Sequence, residues 1–265
     1  MNKRIVVTGL GWVTPLGLGI DSVWEKLVNS KSGIVPIDRF DVSDIDSKVA
    51  GQVPLKSELP DGGFDVGEWV PSSDIRKMDT FIHYGVAAAV QAVEDSGFIH
   101  APDFDPEKAG VMLGSGIGGL PLIEKTAYVL RDQGSKRVNP FFIPASLVNL
   151  LSGHVSIRYN LQGPNSAVVT ACATGAHAIS DSARIIESGE ADIMVAGSSE
   201  SALCRLGMAG FCALRALSTK FNSRPQEASR PWDRDRDGFV MGEGSSVFVL
   251  EEYEHAKKRG AKIYS

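Results

Sequence analysis

The residues with the most pointed chemistry lie in VVTACATGAHAISDSARII, 168–186, where a β-branched run meets a cysteine set among small residues and then a helical pattern. The pattern predicts a strand over 166–170 running into a helix, with Cys172 on the turn between them. A thiol placed there sits at the sheet edge beside a helix N-terminus. Unpaired backbone N–H groups and the helix dipole favour thiolate over thiol at such a point, and the same N–H groups can hold an oxyanion. Ala171, Ala173 and Gly175 leave room for a thioester to approach. Position alone keeps a second reading open, that Cys172 is a small buried hydrophobe, because free cysteine is among the most buried residue types.

The other candidates are weaker. Five residues along a helix turn His177 away from Cys172, which predicts a packed, hydrogen-bonded core histidine rather than a Cys-His pair. His83, His100, His154 and His255 have no metal-ligand spacing, so no metal is expected. GLGWVT, 9–14, carries Thr14 where a dinucleotide fingerprint needs its third glycine and reads as a tight turn. SGIGG, 115–119, lacks the Lys-Ser/Thr ending of a phosphate loop, which leaves close backbone approach to a ligand as the use of its glycines. Arg76 with Lys77, Lys136 with Arg137, and Arg215 form small basic groups whose default is solvated surface. RPWDRDRDGFVMGEG, 230–244, reads as a loop satisfied by its own ion pairs, with structural acids.

The elements that must position these residues follow from periodicity. Strands are expected over 4–8, 109–113, 166–170, 191–197 and 245–251, with a turn at Gly9. Helices are expected over 21–29, capped by Asp21, and over 79–97, where apolar residues recur at three and four and Gly97 is the stop. Alternating strands and helices predict an α/β fold with a mixed, mainly parallel sheet covered on both faces. Surface excursions are expected near 30–78, 120–165 and 202–242.

The chain has 265 residues, 43% hydrophobic and 22% charged, with a net charge of −5. That offers no global attraction to nucleic acid or an anionic membrane, so an acidic partner must meet a local basic patch. Three cysteines without CxxC spacing suit a reducing cytoplasm, and the N-terminal run, broken by glycine and proline, reads as a first strand rather than a signal. No stretch has the apolar length of a transmembrane helix.

Taken together, TACATG around Cys172, GSGIGG at 114–119, NPFFIP at 139–144, GFCALRALS at 210–218 and RPWDRDRDGFVMGEG resemble the β-ketoacyl-acyl-carrier-protein synthase family, in order and along essentially the whole chain. The resemblance implies a thiolase-like fold, of which 1–252 would be the N-terminal half and 253–265 a linker with the start of a second half. It implies transfer of an acyl group from a carrier protein to Cys172, then decarboxylative condensation with a malonyl-carrier protein in fatty-acid elongation. It places Ile117, Phe142 and Phe211 in or beside an acyl-chain pocket, with Phe142 reaching across a homodimer interface near 166–170. It assigns Arg76, Lys77, Lys136, Arg137 and Arg215 to docking of the acidic carrier protein, whose own phosphopantetheine arm replaces any cofactor. The compartment it implies is the cytoplasm or an organelle stroma or matrix.

The family's two histidines belong to motifs like HATST and GHLLGAAG, and neither occurs in these residues. The resemblance therefore implies a truncated chain with impaired condensation. Three alternatives remain at this point: a thiolase acting on coenzyme A thioesters, a non-catalytic carrier-binding or dimerisation fragment, and a cysteine hydrolase. The basic pairs and NPFFIP argue against the first, and the absence of a histidine within reach of Cys172 argues against the last.

Overall fold

Strand residues alternate between two apolar layers: Val111, Leu113, Val195, Val247 and Val249 face one, and Met112, Met194, Ala196 and Leu250 face the other. This is the two-residue period of a sheet covered on both sides. The computed structural model describes residues 3–265. The chain opens with β1 (Ile5–Thr14), β2 (Gly17–Leu18), α1 (Ile20–Val28), the paired β3 (Ile34–Pro36) and β4 (Val49–Gly51), α2 (Val66–Trp69), α3 (Ser72–Ile75) and α4 (Thr80–Ser96). It continues through β5 (Ala109–Gly114), α5 (Leu120–Gln133), α6 (Phe142–Ser146), α7 (Asn149–Tyr159) and β6 (Asn165–Ser166). The last elements are α8 (Thr174–Ser188), β7 (Ile193–Glu200), α9 (Arg205–Ala213), β8 (Gly244–Glu252) and α10 (Tyr253–Lys258).

The main sheet has the order β2-β1-β8-β7-β5-β6. It is mixed, as expected, but the parallel part is confined to β7, β5 and β6, while β8 runs antiparallel to both β7 and β1. The reason is the connection: α9 and the long loop after it stay at the C-terminal edge of β7, so the chain re-enters the sheet from that edge without crossing a face. α4 and α7 cover one face and α8 the other.

Three local expectations change. The chain does not turn at Gly9; β1 runs on through GLGWVT with a bulge between Val7 and Gly9. Its glycines bring helix and strand together, since a Cβ on Gly9 would meet the Ala92 carbonyl oxygen at 2.2 Å and one on Gly11 the Ala88 oxygen at 1.9 Å. Gly19, with φ of 83°, is the N-cap of α1, and Asp21 lies in its first turn rather than at its cap. Within 120–165, α7 is no surface insertion: it packs on β5 as the crossover between parallel β5 and β6.

The segments around 37–50 and 202–241 form a second small core, in which Ile37, Ile45 and Ala50 meet Ala202, Met208, Leu217 and Met241. This core sits at the end of the sheet where β7 stops and braces the loops there. No helix among the described residues is long and apolar enough to cross a membrane.

Candidate active site

The nucleophile candidate is built by a sharp backbone turn. Of the strand expected over 166–170 only Ser166 pairs with β5, together with Asn165 before it; 167–170 continues as an unpaired edge segment. It runs along β5 because Gly114 has no side chain: a Cβ there would meet the Val168 carbonyl oxygen at 2.1 Å. Ala171 then takes a left-handed φ of 52°, a conformation that costs a residue with a Cβ about 1–2 kcal/mol. A single 3-10 turn, Ala171–Ala173, leads into α8. Thr174 holds this turn closed, its Oγ1 donating to the Ala171 carbonyl at 2.8 Å and accepting the Thr170 N–H at 2.9 Å.

Cys172 stands exposed on that turn. The reading of it as a buried hydrophobe is thereby excluded. No side chain among the described residues caps α8, which leaves N–H groups of its first turn without a side-chain acceptor. Gly175 allows α8 to start hard against β7, because a Cβ there would lie 2.7 Å from Ser198 Oγ.

Beside the thiol lies a cavity of about 400 Å³. Its walls come from four places: Gly116 and Ile117 of the loop after β5, the Cys172 turn, Ser198 to Glu200 at the end of β7 with Ala202 beyond it, and Phe211 with the run Phe239 to Gly242. The lining is largely apolar, with Phe211 and Phe239 in edge-to-face contact at 5.4 Å between centroids. A volume and lining of this kind suit a small apolar ligand or an alkyl chain.

Ile117 and Phe211 therefore lie with Cys172, whereas Phe142 does not line this cavity; it begins α6, half-buried, beside the exposed Ile143 and Leu147. The basic candidates fall into two groups. Arg76 and Lys77 lie over the ring of Phe141, and the Asn139 side chain donates to the Arg76 carbonyl oxygen at 3.1 Å, which ties them to the segment carrying Lys136 and Arg137. Arg215 stands apart, exposed, with Lys220, Asp46 and Asp237 around a separate cleft of about 420 Å³.

His177 is exposed rather than part of the core, with Nδ1 2.8 Å from Thr170 Oγ1. α8 covers one face of the sheet with Ala178 and Ile186 turned inward, and His177 lies on its exposed outer side. The SGIGG glycines admit the chain's own backbone: a Cβ on Gly116 would meet the Ala171 oxygen at 3.1 Å, and one on Gly119 the Ser146 Cα at 2.6 Å. Within 230–244 only part of the expected internal pairing is present: Asp237 and Glu243 are held from outside the loop, Glu243 by Arg39 at 3.0 Å. Arg230 meets Asp233 at 3.1 Å, and Asp237 accepts from Ser218 Oγ at 2.7 Å and from the Thr219 and Lys220 N–H groups.

Two contributions to the site escaped the sequence reading. Phe239, Val240 and Met241 supply a wall from inside the charged loop, and the apolar FVM run among acids and arginines was the available signal. Glu200 ends β7 at the cavity, where its carboxylate accepts from Ser115 Oγ at 3.0 Å and from the N–H groups of Gly116 at 2.8 Å and Ile117 at 3.0 Å. Burial pushes the Glu200 carboxyl above its usual range, against the pull of those hydrogen bonds. An acid closing the apolar strand ADIMVAGSSE was its only trace in the sequence.

Comparison with known proteins bears on this geometry. Residues 2–256 match the family model described as "Beta-ketoacyl synthase, N-terminal domain". The chain is 50% identical over 263 residues to the 3-oxoacyl-[acyl-carrier-protein] synthase 2 of Rhizobium meliloti (strain 1021), covering 99% of this chain and 62% of that protein. A β-ketoacyl synthase from Burkholderia phymatum STM815 superposes with a TM-score of 0.83 at 32% identity, over 98% of this chain and 62% of that one. A type II PKS ketosynthase, bound to the hexaketide and in complex with its acyl-carrier protein, superposes with a TM-score of 0.83 at 30% identity, over 100% of this chain and 62% of that one. The chain thus spans about three fifths of the length of the relatives it matches.

Proposed function

From the premise that the chain belongs to the β-ketoacyl synthase family, matching its N-terminal domain, we propose that it carries the acyl-transfer half of a 3-oxoacyl-[acyl-carrier-protein] synthase of fatty-acid elongation, with Cys172 as nucleophile. The observation that carries this reading is the exposed Cys172 on an uncapped helix start, at the wall of an apolar cavity. The Cys172 sulfur attacks the thioester carbonyl, and the N–H groups at the start of α8 receive the developing oxyanion. Collapse of the intermediate leaves the acyl group on sulfur and expels the carrier's thiolate, which takes up the proton lost by Cys172. The acyl tail then lies along Ile117, Phe211 and Phe239.

Condensation with a malonyl-carrier protein would follow, with carbon dioxide leaving as the carbon–carbon bond forms and Cys172 is released. None of the five histidines lines the cavity, and we assign decarboxylation to groups outside these residues.

The carrier protein docks on Arg76, Lys77, Lys136 and Arg137, with Arg215 as a second contact, which gives local basic ground on a chain of net charge −5. Support for such a partner comes from the type II PKS ketosynthase found in complex with its acyl-carrier protein. The unpaired edge at 167–170, with Val169 exposed, and the exposed Ile143 and Leu147 beside Phe142 suit a homodimer interface. Three free cysteines suit a reducing compartment, the cytoplasm or an organelle interior.

Intact-mass measurement after incubation with an acyl-carrier-protein thioester tests the proposal. The parent chain is expected to gain one acyl group and the Cys172→Ala variant none; an equal gain in both, or no gain in the parent, overturns it.

A further inference from the structure

Glu200 is held too specifically to be only a lining residue. A carboxylate facing an apolar cavity is costly unless its lone pairs are occupied. Its Oε1 takes the Ser115 hydroxyl at 3.0 Å, and its Oε2 takes both the Gly116 and Ile117 N–H groups at 2.8 and 3.0 Å. Ser115 Oγ in turn accepts the Gly118 N–H at 2.9 Å, so one carboxylate and one hydroxyl bind the whole loop 115–118. The loop is pressed between two fixed bodies: a Cβ on Gly116 would lie 3.0 Å from Glu200 Oε2 on one side and 3.1 Å from the Ala171 carbonyl oxygen on the other. Ile117 is 40% exposed, so packing alone does not hold its side chain where the cavity needs a wall. The hydrogen bonds to its own N–H and to its neighbour's do.

We propose that Glu200 is a positioning residue whose carboxylate clamps the backbone of the 115–117 loop, fixes Ile117 in the wall beside Cys172, and thereby sets how well the cavity accepts a long alkyl chain attached to that sulfur. The inference rests on the acyl-transfer reading of the cavity, but its test is independent of any carrier protein.

Alkyl methanethiosulfonates of increasing length, from methyl to decyl, transfer their alkylthio group to a thiolate and release methanesulfinate. Labelling of Cys172 is followed by intact mass, with Cys172→Ala as the blank for Cys204 and Cys212. The parent is expected to react faster with the decyl than with the methyl reagent. In Glu200→Gln, which replaces one acceptor oxygen by donors facing the loop N–H groups, the decyl rate falls about tenfold more than the methyl rate, corresponding to lost burial of roughly two methylenes. Ser115→Ala, a milder change in the same clamp, shifts the ratio in the same direction and serves if Glu200→Gln fails to fold. A decyl-to-methyl ratio unchanged from the parent in the folded variants overturns the clamp and leaves Glu200 with a merely structural role. A lowered decyl-to-methyl ratio in the variants, with a parent that accepts no acyl group from a carrier thioester, overturns the acyl-transfer reading while supporting the clamp.

Discussion

Around Cys172 the backbone is held in an unfavourable turn by one buried hydroxyl. Thr174 bonds both the Ala171 carbonyl and the Thr170 N–H, and Ala171 pays for the sharpness of the turn with its positive φ. Thr174→Val keeps the shape and removes both side-chain hydrogen bonds, leaving the Thr170 N–H without this acceptor and the Ala171 carbonyl with only the Thr174 backbone N–H, at a cost of about 1 kcal/mol or more. Acylation of Cys172 in that variant is expected to slow by roughly tenfold or more, and Thr174→Ser to recover most of the rate, as single-turnover mass measurements would show. Equal rates in the two variants would mean that the turn holds itself. Cys172 as the candidate nucleophile was legible from its neighbours, small residues between a β-branched run and a helical pattern, although position alone left open a small buried hydrophobe until the fold placed the residue exposed on the turn. The hydroxyl that secures it was not, because a threonine at a helix start is ordinary until its partners are known.

At the scale of elements, α10 is tied to the sheet and to the end of α4 by a buried charge cluster. Arg259 makes two contacts of 2.6 Å to Glu251, His255 Nδ1 lies 2.6 Å from the same carboxylate, and Arg259 also donates to the Ser96 carbonyl oxygen at 2.9 Å. Burial pushes the Glu251 carboxyl up, but Arg259, His255 and Thr8 together outweigh it and hold the group below its usual range. The hydrogen bond to Glu251 raises His255 against its partial burial. The Glu251 contribution is therefore present above the ordinary glutamate value of 4.5 and lost as pH falls through the lowered folded value. The His255 contribution is present below the ordinary histidine value of 6.5 and lost as pH rises through the raised folded value. Urea unfolding should show the cluster worth most between these two ordinary values. Arg259→Met, which strands the Glu251 charge, is expected to cost about 3–5 kcal/mol there; a loss under 1 kcal/mol would show the cluster to be dispensable.

Over the whole molecule, the distribution of charge matters more than its sum. Lys136→Glu with Arg137→Glu is expected to slow acyl transfer from an acidic carrier protein severalfold while affecting a small uncharged thioester much less, and added salt should narrow the gap because screening acts over about 10 Å at 0.1 M. Equal slowing with both substrates would remove these residues from docking. The α/β class, the long helix α4, the strands β5, β7 and β8, and Cys172 at a helix start were all determined by the sequence alone, because two- and three-to-four-residue periods and small-residue turns are local properties of the chain. The cavity was decided by tertiary structure. Ile117, Phe211, Phe239 and Glu200 are far apart along the chain and meet only because the loops at one end of the sheet fold over each other. The antiparallel course of β8, the continuation of β1 through its glycines and the exposure of His177 were decided in the same way. Each depends on which surface packs against which, and a glycine in a strand or a histidine on a helix carries no local mark of the neighbour it will meet.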